Sequence, residues 1–413
     1  MRATTKTNLA LLCLACASLF GMGYVSRYRA STNVDLSGIQ KIQQATISPP
    51  LVTVFKKENP RCVDLLSAVQ NGYWVSRTPP KRELIEIQSF LDDVRIGYFK
   101  LPPTLQRDDG HCGNVNFKGR MFRALCNPDG PTPCCFEFQC ASKSVDQCRC
   151  STCFDLRREM HADFGSYVLK DPACKMTTFK SKADLCSMLE NVSISFIGDS
   201  FVRQIYISVL AMLRHGKIGN VVKNNTSMSE RERCREQRIY IAGCRHLVDR
   251  EVTECDQTVK LNDYNYFKTQ KANLIMEVVK GLVGKRHSIL YIGLGIHDGL
   301  NSTTVHEKVV KPMMRIVGKN QWPKIVWSTP HVPGLLKSPF HKNQDRSAVL
   351  AFIKDMKRIL KGYNIPVMDT YHLTNGVVSY DGLHYAKGIN DIKAQILLNL
   401  VQRLRNNGWS TLH

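Results

Sequence analysis

Cysteine is missing from the last part of the chain. Residues 256–413 contain none, and fourteen of the sixteen cysteines lie between Cys62 and Cys255. Ten of these occur between Cys112 and Cys186, a density typical of disulfide-held regions in lumenal or secreted proteins. The sequence therefore predicts an irregular, disulfide-held cysteine-rich region, residues 61–187, followed by a second domain over residues 188–413.

Long uncharged stretches are also missing, with one exception near the start. Residues 7–26 carry no charge, and twenty residues are just enough for a helix to cross a bilayer core of about 30 Å. We predict a cytoplasmic tail at residues 1–6, a transmembrane signal anchor at 7–26 and a lumenal stem at 27–60. The protein would then be a single-pass type II protein of the Golgi or another secretory-pathway membrane. A cleaved signal peptide, and hence secretion, is the alternative, because Ala15-Cys16-Ala17 resembles a cleavage site.

Acidic residues are few. The chain has 35 Asp and Glu against 57 Lys and Arg, a formal net charge of +22. Such an excess attracts polyanions, although it also suits a merely solubilising surface. No recognisable nucleic-acid-binding motif is present, and the secretory address argues against nucleic acid, so acidic glycans are the expected partners. The chain also lacks any Asp-x-Asp triplet, which disfavours a metal-dependent glycosyltransferase.

The cysteine spacing allows two interpretations. Cys148, Cys150 and Cys153 contain one Cys-x-x-Cys step, which can belong to a zinc site. A second well-spaced pair is missing, so disulfides are favoured and no metal is expected. A lumenal chain can also carry sugar on asparagine. Sequons begin at four positions, of which the second and third lie in a polar loop and are the best candidates: Asn191, Asn224, Asn225 and Asn301.

From residue 188 onward, strand and helix patterns alternate, which predicts an α/β fold with a mainly parallel sheet. The predicted strands are 194–197, 288–294, 324–328 and 365–368. The predicted helices are 201–214, 304–317, 346–360 and 389–404, and one further helix is predicted within the cysteine-rich region at 82–91.

The tripeptide Gly198-Asp199-Ser200 lies between the first of these strands and the first helix. A serine on a sharp strand-to-helix turn lies outside the hydrogen-bond ladder of the sheet, and its hydroxyl can attack an ester carbonyl. Asp and Ser are also ordinary residues at helix starts, so the tripeptide alone is weak evidence. Its place at the carboxyl end of a parallel strand, where α/β sheets bind ligands, strengthens the hypothesis that Ser200 is a nucleophile.

A nucleophilic serine needs a base and a group that orients the base. The pattern Asp-x-x-His occurs three times in the sequence. The match at Asp108 lies in the cysteine-rich region and is set aside. His384 with Asp381 lies in a loop before the last helix and ranks first, and His372 with Asp369 ranks second.

The oxyanion that forms on attack needs hydrogen-bond donors in place. The Ser200 amide is one candidate. The glycine-rich segment after the strand 288–294 offers Gly295 and His297, although a plain turn with a solvated histidine is equally compatible with that segment. Arg203, one turn into the helix after Ser200, can face either the site or solvent.

These motifs together resemble the SGNH, or GDSL-type, hydrolase superfamily, and more closely its PC-esterase branch. That branch includes the trichome-birefringence-like polysaccharide O-acetyltransferases and the lumenal domain of sialic acid O-acetyltransferase. The segment from Gly198 to Ser208 resembles the nucleophile segment of the branch, and Asp381-Gly-Leu-His384 resembles its closing segment. The resemblance covers roughly residues 188–405.

The resemblance implies a three-layer α/β/α fold and a role for each residue. Ser200 would be the nucleophile, His384 the base and Asp381 its partner, with Arg203 near the oxyanion. The chain has Gly295-Ile-His297 where the superfamily has Gly-x-Asn, and the PC-esterase branch also tends to have histidine there.

The implied activity is a lumenal acyl, most simply acetyl, transferase or esterase that acts on glycan hydroxyls through an acyl-Ser200 intermediate. No bound cofactor is expected. Transfer would require an acyl donor such as acetyl-CoA and a multispanning membrane partner that supplies acetyl groups, whereas hydrolysis would not. The alternative from another class is a non-catalytic protein of SGNH fold that binds acidic glycans.

Overall fold

The computed structural model describes residues 62, 64–94, 106–117, 120–337, 340 and 342–410. The predicted tail, signal anchor and stem lie outside these residues. None of the helices in the described ranges is long and apolar enough to cross a membrane.

The cysteine-rich region consists of short elements joined by turns. Its two helices are α1 (Leu65–Gln70) and α2 (Lys81–Asp92), and the second confirms the helix predicted at 82–91. Its strands form three antiparallel pairs, β1 with β6, β2 with β3 and β4 with β5. They are β1 (Gly72–Ser76), β2 (Gly113–Phe117), β3 (Arg120–Ala124), β4 (Cys134–Phe136), β5 (Gln139–Ala141) and β6 (Gly165–Leu169).

Seven disulfides pair all fourteen cysteines between Cys62 and Cys255, including the Cys-x-x-Cys step that left zinc as an alternative. The pairs are Cys62–Cys174, Cys112–Cys135, Cys126–Cys140, Cys134–Cys148, Cys150–Cys153, Cys186–Cys255 and Cys234–Cys244. Five of them have both cysteines within the cysteine-rich region. They replace the apolar core that such short strands cannot build.

Helices and strands alternate through the rest of the chain. In chain order these elements are α3 (Lys182–Leu189), β7 (Ser193–Gly198), α4 (Ser200–Leu213), α5 (Met228–Arg233), β8 (Glu251–Glu254), β9 (Val259–Tyr264), α6 (Ala272–Leu282), β10 (Ser288–Gly293), α7 (Ser302–Val305), α8 (Lys311–Val317), β11 (Lys324–Ser328), α9 (Arg346–Lys361), β12 (Val367–Met368), α10 (Tyr371–Thr374) and α11 (Lys387–Asn406).

Six strands form one mainly parallel sheet in the order β12-β11-β10-β7-β9-β8. All neighbouring strands are parallel except β8 and β9, which are antiparallel at one edge. The register aligns the ends of the two central strands, because Gly198 of β7 pairs with Gly293 of β10. The loops that follow these two strands therefore leave the same edge of the sheet side by side.

Helices cover both faces of the sheet, which gives three layers. Ile194 and Phe196 of β7 face a core that includes helices α4 and α11, whereas Ile197 faces a second core that includes helices α6, α8 and α9. Alternate strand residues enter opposite cores because successive side chains of a strand point to opposite faces. The predicted mixed α/β class with a mainly parallel sheet is confirmed.

Six elements of this region were not predicted from the sequence: strands β8 and β9 and helices α3, α5, α6 and α10. Strand β9 alternates buried and partly exposed residues, with Lys260 exposed and Asn262 half-buried, so it lacks the apolar run of a central parallel strand. Helix α7 was predicted to continue unbroken to residue 317, but a π-helical turn, His306–Val310, separates it from α8. Pro312 at the start of α8 has no amide hydrogen and cannot continue the regular ladder.

Candidate active site

The turn between β7 and α4 places Ser200 at the edge of the sheet. Asp199 is the N-cap of α4, and its Oδ1 accepts a hydrogen bond from the Phe201 amide at 2.8 Å. Gly198 closes the strand where only glycine fits: a Cβ atom there would lie 2.5 Å from the Gly293 carbonyl oxygen and 2.6 Å from Val202. Ser200 is thus the first helical residue, at the positive end of a fourteen-residue helix.

Ser200, His384 and Asp381 form a continuous hydrogen-bonded row. The Ser200 Oγ and His384 Nε2 atoms are 2.6 Å apart, and His384 Nδ1 and Asp381 Oδ2 are also 2.6 Å apart. The carboxylate accepts a hydrogen bond from Nδ1–H, which directs the Nε2 atom towards the serine hydroxyl as an acceptor. This is the order of groups that activates a serine hydroxyl.

The loop that carries His384 is held by its own backbone. Asp381 Oδ1 accepts hydrogen bonds from the Leu383 and His384 amides at 2.8 and 2.6 Å. Gly382 has φ +86°, and a Cβ atom there would lie 2.1 Å from the Lys337 amide nitrogen. The glycine between the Asp and the His is therefore required by both backbone conformation and packing.

Aromatic rings hold the His384 imidazole from two directions. Tyr380 stacks on it with ring centroids 5.9 Å apart, and Phe201 meets it edge-on at 5.5 Å. Gln204, fully buried one turn into α4, donates from Nε2 to the Tyr380 hydroxyl at 3.0 Å. The helix that begins with Ser200 thereby also supports the base.

Charge in the site follows from burial and from these contacts. Burial alone would raise the pKa of Asp381, but the His384 imidazole and the amides of Leu383 and His384 outweigh it, and the pKa is lowered. Asp381 therefore remains a carboxylate beside the imidazole. The pKa of Asp199 is raised by burial, which the neighbouring His297 and the Phe201 amide only partly oppose.

The second-ranked pair lies elsewhere. Asp369 accepts hydrogen bonds from the Thr329 hydroxyl and the Tyr371 amide, and it forms an ion pair with Lys357. His372 is exposed on the short helix α10 and is not among the residues that line the cavity at Ser200. The third match, with Asp108, lies in the cysteine-rich region, where His111 contacts Gln139.

A cavity of about 370 Å³ opens over Ser200 and His384. Its walls come from the loops that follow several strands, and from the segment between α5 and β8. Beyond the hydrogen-bonded row, the lining residues are Asp199, Arg203, Tyr240, Ile241, Ala242, Arg245, Asn265, Phe267, His297, Lys337, Tyr380 and Leu383. The cavity is large enough for an acyl group and part of a sugar.

The two residues proposed for the oxyanion site have different positions. His297 lines the cavity, packs edge-on against Phe267 at 4.9 Å, and has a pKa lowered by burial. Gly295 is not a lining residue; it has φ +128°, and a Cβ atom there would lie 2.2 Å from the Phe352 ring. Gly295 therefore shapes the turn on which His297 stands.

Arg203 faces the cavity rather than solvent. Arg203 is 4% exposed, its Nε is buried and donates no hydrogen bond to any residue that the structure describes, and burial lowers its pKa. The Asp263 carboxylate opposes that shift.

Several cavity residues were missed from the sequence. Asn265 and Phe267 follow strand β9, which was itself not predicted, whereas Lys337 follows the predicted strand β11 and lies at the carboxyl edge for the same reason as Ser200. Arg245 directly follows Cys244, and no local pattern indicated that this segment returns to the site.

The remaining predicted sites are on the surface or in disulfides. The sequon asparagines Asn224 and Asn225 are exposed, and Asn301 is exposed while its side chain caps α7 by accepting from the Thr304 amide. Two groups of three cysteine sulfurs lie close together among the described residues, but every one of these sulfurs belongs to a disulfide.

No known protein-family model matches the chain, and no curated protein matches it.

Proposed function

We propose that the protein is a serine-dependent acyl transferase or esterase of SGNH type, similar to the PC-esterase branch, that acts on hydroxyl groups of glycans. The observation that carries the proposal is the row Ser200–His384–Asp381, with both hydrogen bonds at 2.6 Å, at the floor of a cavity. The three residues come from two segments 181 positions apart in the chain, yet they meet at one edge of a parallel sheet. If the tripeptide served only to cap the helix, there would be no reason for His384 and Asp381 to lie beside Ser200.

In the first half-reaction the Ser200 oxygen attacks the carbonyl carbon of an acyl ester or thioester. His384 Nε2 takes the serine proton while the Asp381 carboxylate stabilises the imidazolium that forms. The negative charge that develops on the carbonyl oxygen lies near the start of α4, where the Ser200 amide can donate to it. Collapse breaks the bond to the leaving alcohol or thiol, which takes the proton back from His384 and leaves an acyl-Ser200 ester.

In the second half-reaction a hydroxyl group attacks that ester. His384 removes the proton of the attacking group, and Ser200 leaves with it. If the attacking group is a sugar hydroxyl, the reaction is transfer and a donor such as acetyl-CoA must load the serine, through a membrane partner if the site is lumenal. If it is water, the reaction is hydrolysis of an acylated glycan. The likeness around Arg203 and Gln204 favours transfer.

The proposed location is the secretory lumen, with anchoring through residues 7–26 in the Golgi or another membrane of that pathway. The protein has seven disulfides, and disulfides are common in that compartment and rare in the cytosol.

The proposal is tested by active-site labelling of the purified full-length chain. A fluorophosphonate should label wild type at Ser200, and activated acetyl ester should release acetate. Ser200→Ala should abolish both, while Ser208→Ala, on the same helix and outside the cavity, should keep the labelling. Equal labelling of wild type and Ser200→Ala would falsify the proposal. Binding of acidic glycans without labelling or acetate release would instead support the non-catalytic alternative.

A further inference from the structure

Three cationic side chains line the cavity that holds Ser200: Arg203, Arg245 and Lys337. Two carboxylates share the same wall. Asp381 is occupied by His384 and by two amides, and Asp199 accepts from the Phe201 amide. Asp381 forms its ion pair with His384. Asp199 and Asp263 attract Arg203, and Asp381 attracts Lys337. With three cations and two carboxylates in its lining, the cavity keeps positive charge that its own carboxylates balance only in part.

Arg203 is the most telling of the three. The guanidinium of an arginine that is 4% exposed would ordinarily be bound by carboxylates or carbonyl groups, because a buried charge without hydrogen bonds is costly. Here the Nε of Arg203 is buried and has no hydrogen-bond partner among the described residues. Arg203 lies on α4, one turn after Ser200, and it lines the space that a substrate would fill.

Arg245 approaches the cavity from another segment. The disulfide Cys234–Cys244 closes a short loop, and Arg245 is the next residue in the chain. Its side chain forms no hydrogen bond or ion pair within the described ranges, and the residue is exposed. The covalent closure fixes the place of the backbone from which this guanidinium extends.

Lys337 completes the group on the side of Asp381. It is 6% exposed, its ammonium donates to the Gln344 side chain at 2.5 Å, and Gln344 in turn donates to the Ile296 carbonyl oxygen. Burial lowers the pKa of Lys337 to about 8, although Asp381 opposes the shift, so the amine is still mostly charged at neutral pH.

We propose that the cavity recognises an anionic group, a carboxylate or a sulfate, carried by the acyl-accepting or acyl-bearing sugar, with Arg203 and Arg245 as its principal binding residues. Guanidinium groups bind planar or tetrahedral oxyanions through paired hydrogen bonds. A neutral sugar offers Arg203 only uncharged oxygen acceptors, and a guanidinium binds a charged oxyanion more strongly, so the site favours acidic sugars. This inference rests on the proposed function, because it places the reacting hydroxyl of that sugar at Ser200.

The test measures binding rather than turnover. The full-length chain with Ser200→Ala is titrated calorimetrically with glucuronic acid, glucose 6-sulfate, glucose and coenzyme A. We expect at least one of the two acidic sugars to bind at least tenfold more tightly than glucose. The substitution Arg245→Gln, at an exposed position that should not affect folding, should reduce that preference severalfold, and Arg203→Lys should reduce it as well.

Arg358→Gln is the matched control, because Arg358 is exposed on α9 and outside the cavity; it should retain the full preference. Equal affinity for glucose and both acidic sugars overturns the inference, as does a preference that Arg245→Gln leaves unchanged. Arginine-dependent binding of coenzyme A alone also overturns it, because the anion would then belong to the acyl donor. If wild type binds acidic sugars selectively but is not labelled by the fluorophosphonate, the proposed catalysis is contradicted and the selectivity for acidic sugars is not.

Discussion

The His384 imidazole is constrained by four different neighbours. Asp381 fixes its Nδ1, Ser200 meets its Nε2, and the rings of Tyr380 and Phe201 limit its rotation. An imidazole held in this way needs little reorganisation when it accepts a proton, which is how a preorganised base lowers an activation barrier. The surroundings of His384 therefore differ from those of an ordinary loop histidine.

Replacing His384 should separate the two ranked Asp-x-x-His pairs. His384→Ala removes the proton acceptor and should slow fluorophosphonate labelling of Ser200 by roughly 10²- to 10⁴-fold. His372→Ala is the control with the same local motif; because that histidine is exposed and outside the cavity, labelling should stay within twofold of wild type. A comparable slowing in both variants would remove the reason for assigning the base to His384.

The candidate site was predictable only as far as local motifs reach. Ser200, Asp381 and His384 carry short patterns with a chemical meaning, and the loop position of the last two indicated the pair that meets Ser200 in the structure. Lys337 and Arg245 carry none, because a cation in a loop is ordinary until the fold brings it to a cavity. These two residues belong to the site only because the fold brings them there, and no local pattern in the sequence shows this.

At the level of elements, the close approach of β7 and β10 determines the site. The two strands end together at Gly198 and Gly293, and α4 begins two residues after Gly198. The close approach of the strands explains why the tripeptide that leads into the helix begins with glycine. The same strands were predictable because they are buried on both faces and read as apolar runs, whereas β9, with alternating exposure, was not.

Gly198→Ala should disturb both stability and labelling. The added Cβ would lie 2.5 Å from a backbone carbonyl oxygen that cannot move independently of β10. Overpacking of this kind costs about 1–3 kcal/mol, and the shift should also displace Ser200 from His384. The measurements are the free energy of unfolding in denaturant and the labelling rate.

Gly281→Ala provides the control for that experiment. Gly281 lies in α6, and a Cβ atom there would have no heavy atom within 4 Å. Alanine in an open helical position should be neutral or stabilising by up to about 1 kcal/mol, with an unchanged labelling rate. If both variants lose similar stability, crowding at Gly198 is not the cause.

At the scale of the whole molecule, the cysteine-rich region packs against the α/β region and shares an apolar core with it. Described residues from both regions belong to one unit, Asn59–His413. Asn399 and Gln395 of α11 exchange hydrogen bonds with the backbone of Thr177 and Phe179. Tyr167 and Phe179 belong to the same apolar core as helix α4.

A chain reduced to residues 188–413 should therefore not fold cooperatively. It would lose these hydrogen bonds, expose the core surface that Tyr167 and Phe179 cover, and leave Cys255 without Cys186. We expect binding of a hydrophobic dye and a broad thermal transition, in contrast to residues 59–413. A sharp transition with no dye binding in the shorter chain would show that the α/β region is independent.

The junction between the two regions also makes stability depend on pH. Asp163 lies in a 3₁₀ turn of the cysteine-rich region, and its Oδ1 accepts a hydrogen bond from the Gly388 amide at the start of α11. Burial raises its pKa from 3.8 to about 6, with the Gly388 amide opposing the shift and Asp391 adding to it. Between these values Asp163 binds more protons in the folded state than in the unfolded state, so its contribution to the free energy of unfolding falls as pH rises from about 4 to about 6.

Asp163→Asn keeps an acceptor oxygen for Gly388 but does not titrate. The fall in unfolding free energy between pH 4 and 6 should therefore be smaller in the variant than in wild type, by roughly 2 kcal/mol. Chemical denaturation across this range measures the difference. Asp146→Asn removes an exposed carboxylate of the same region and should follow the wild-type curve. If the unfolding free energies of wild type and Asp163→Asn change in parallel with pH, the pKa of Asp163 is not raised in the folded state.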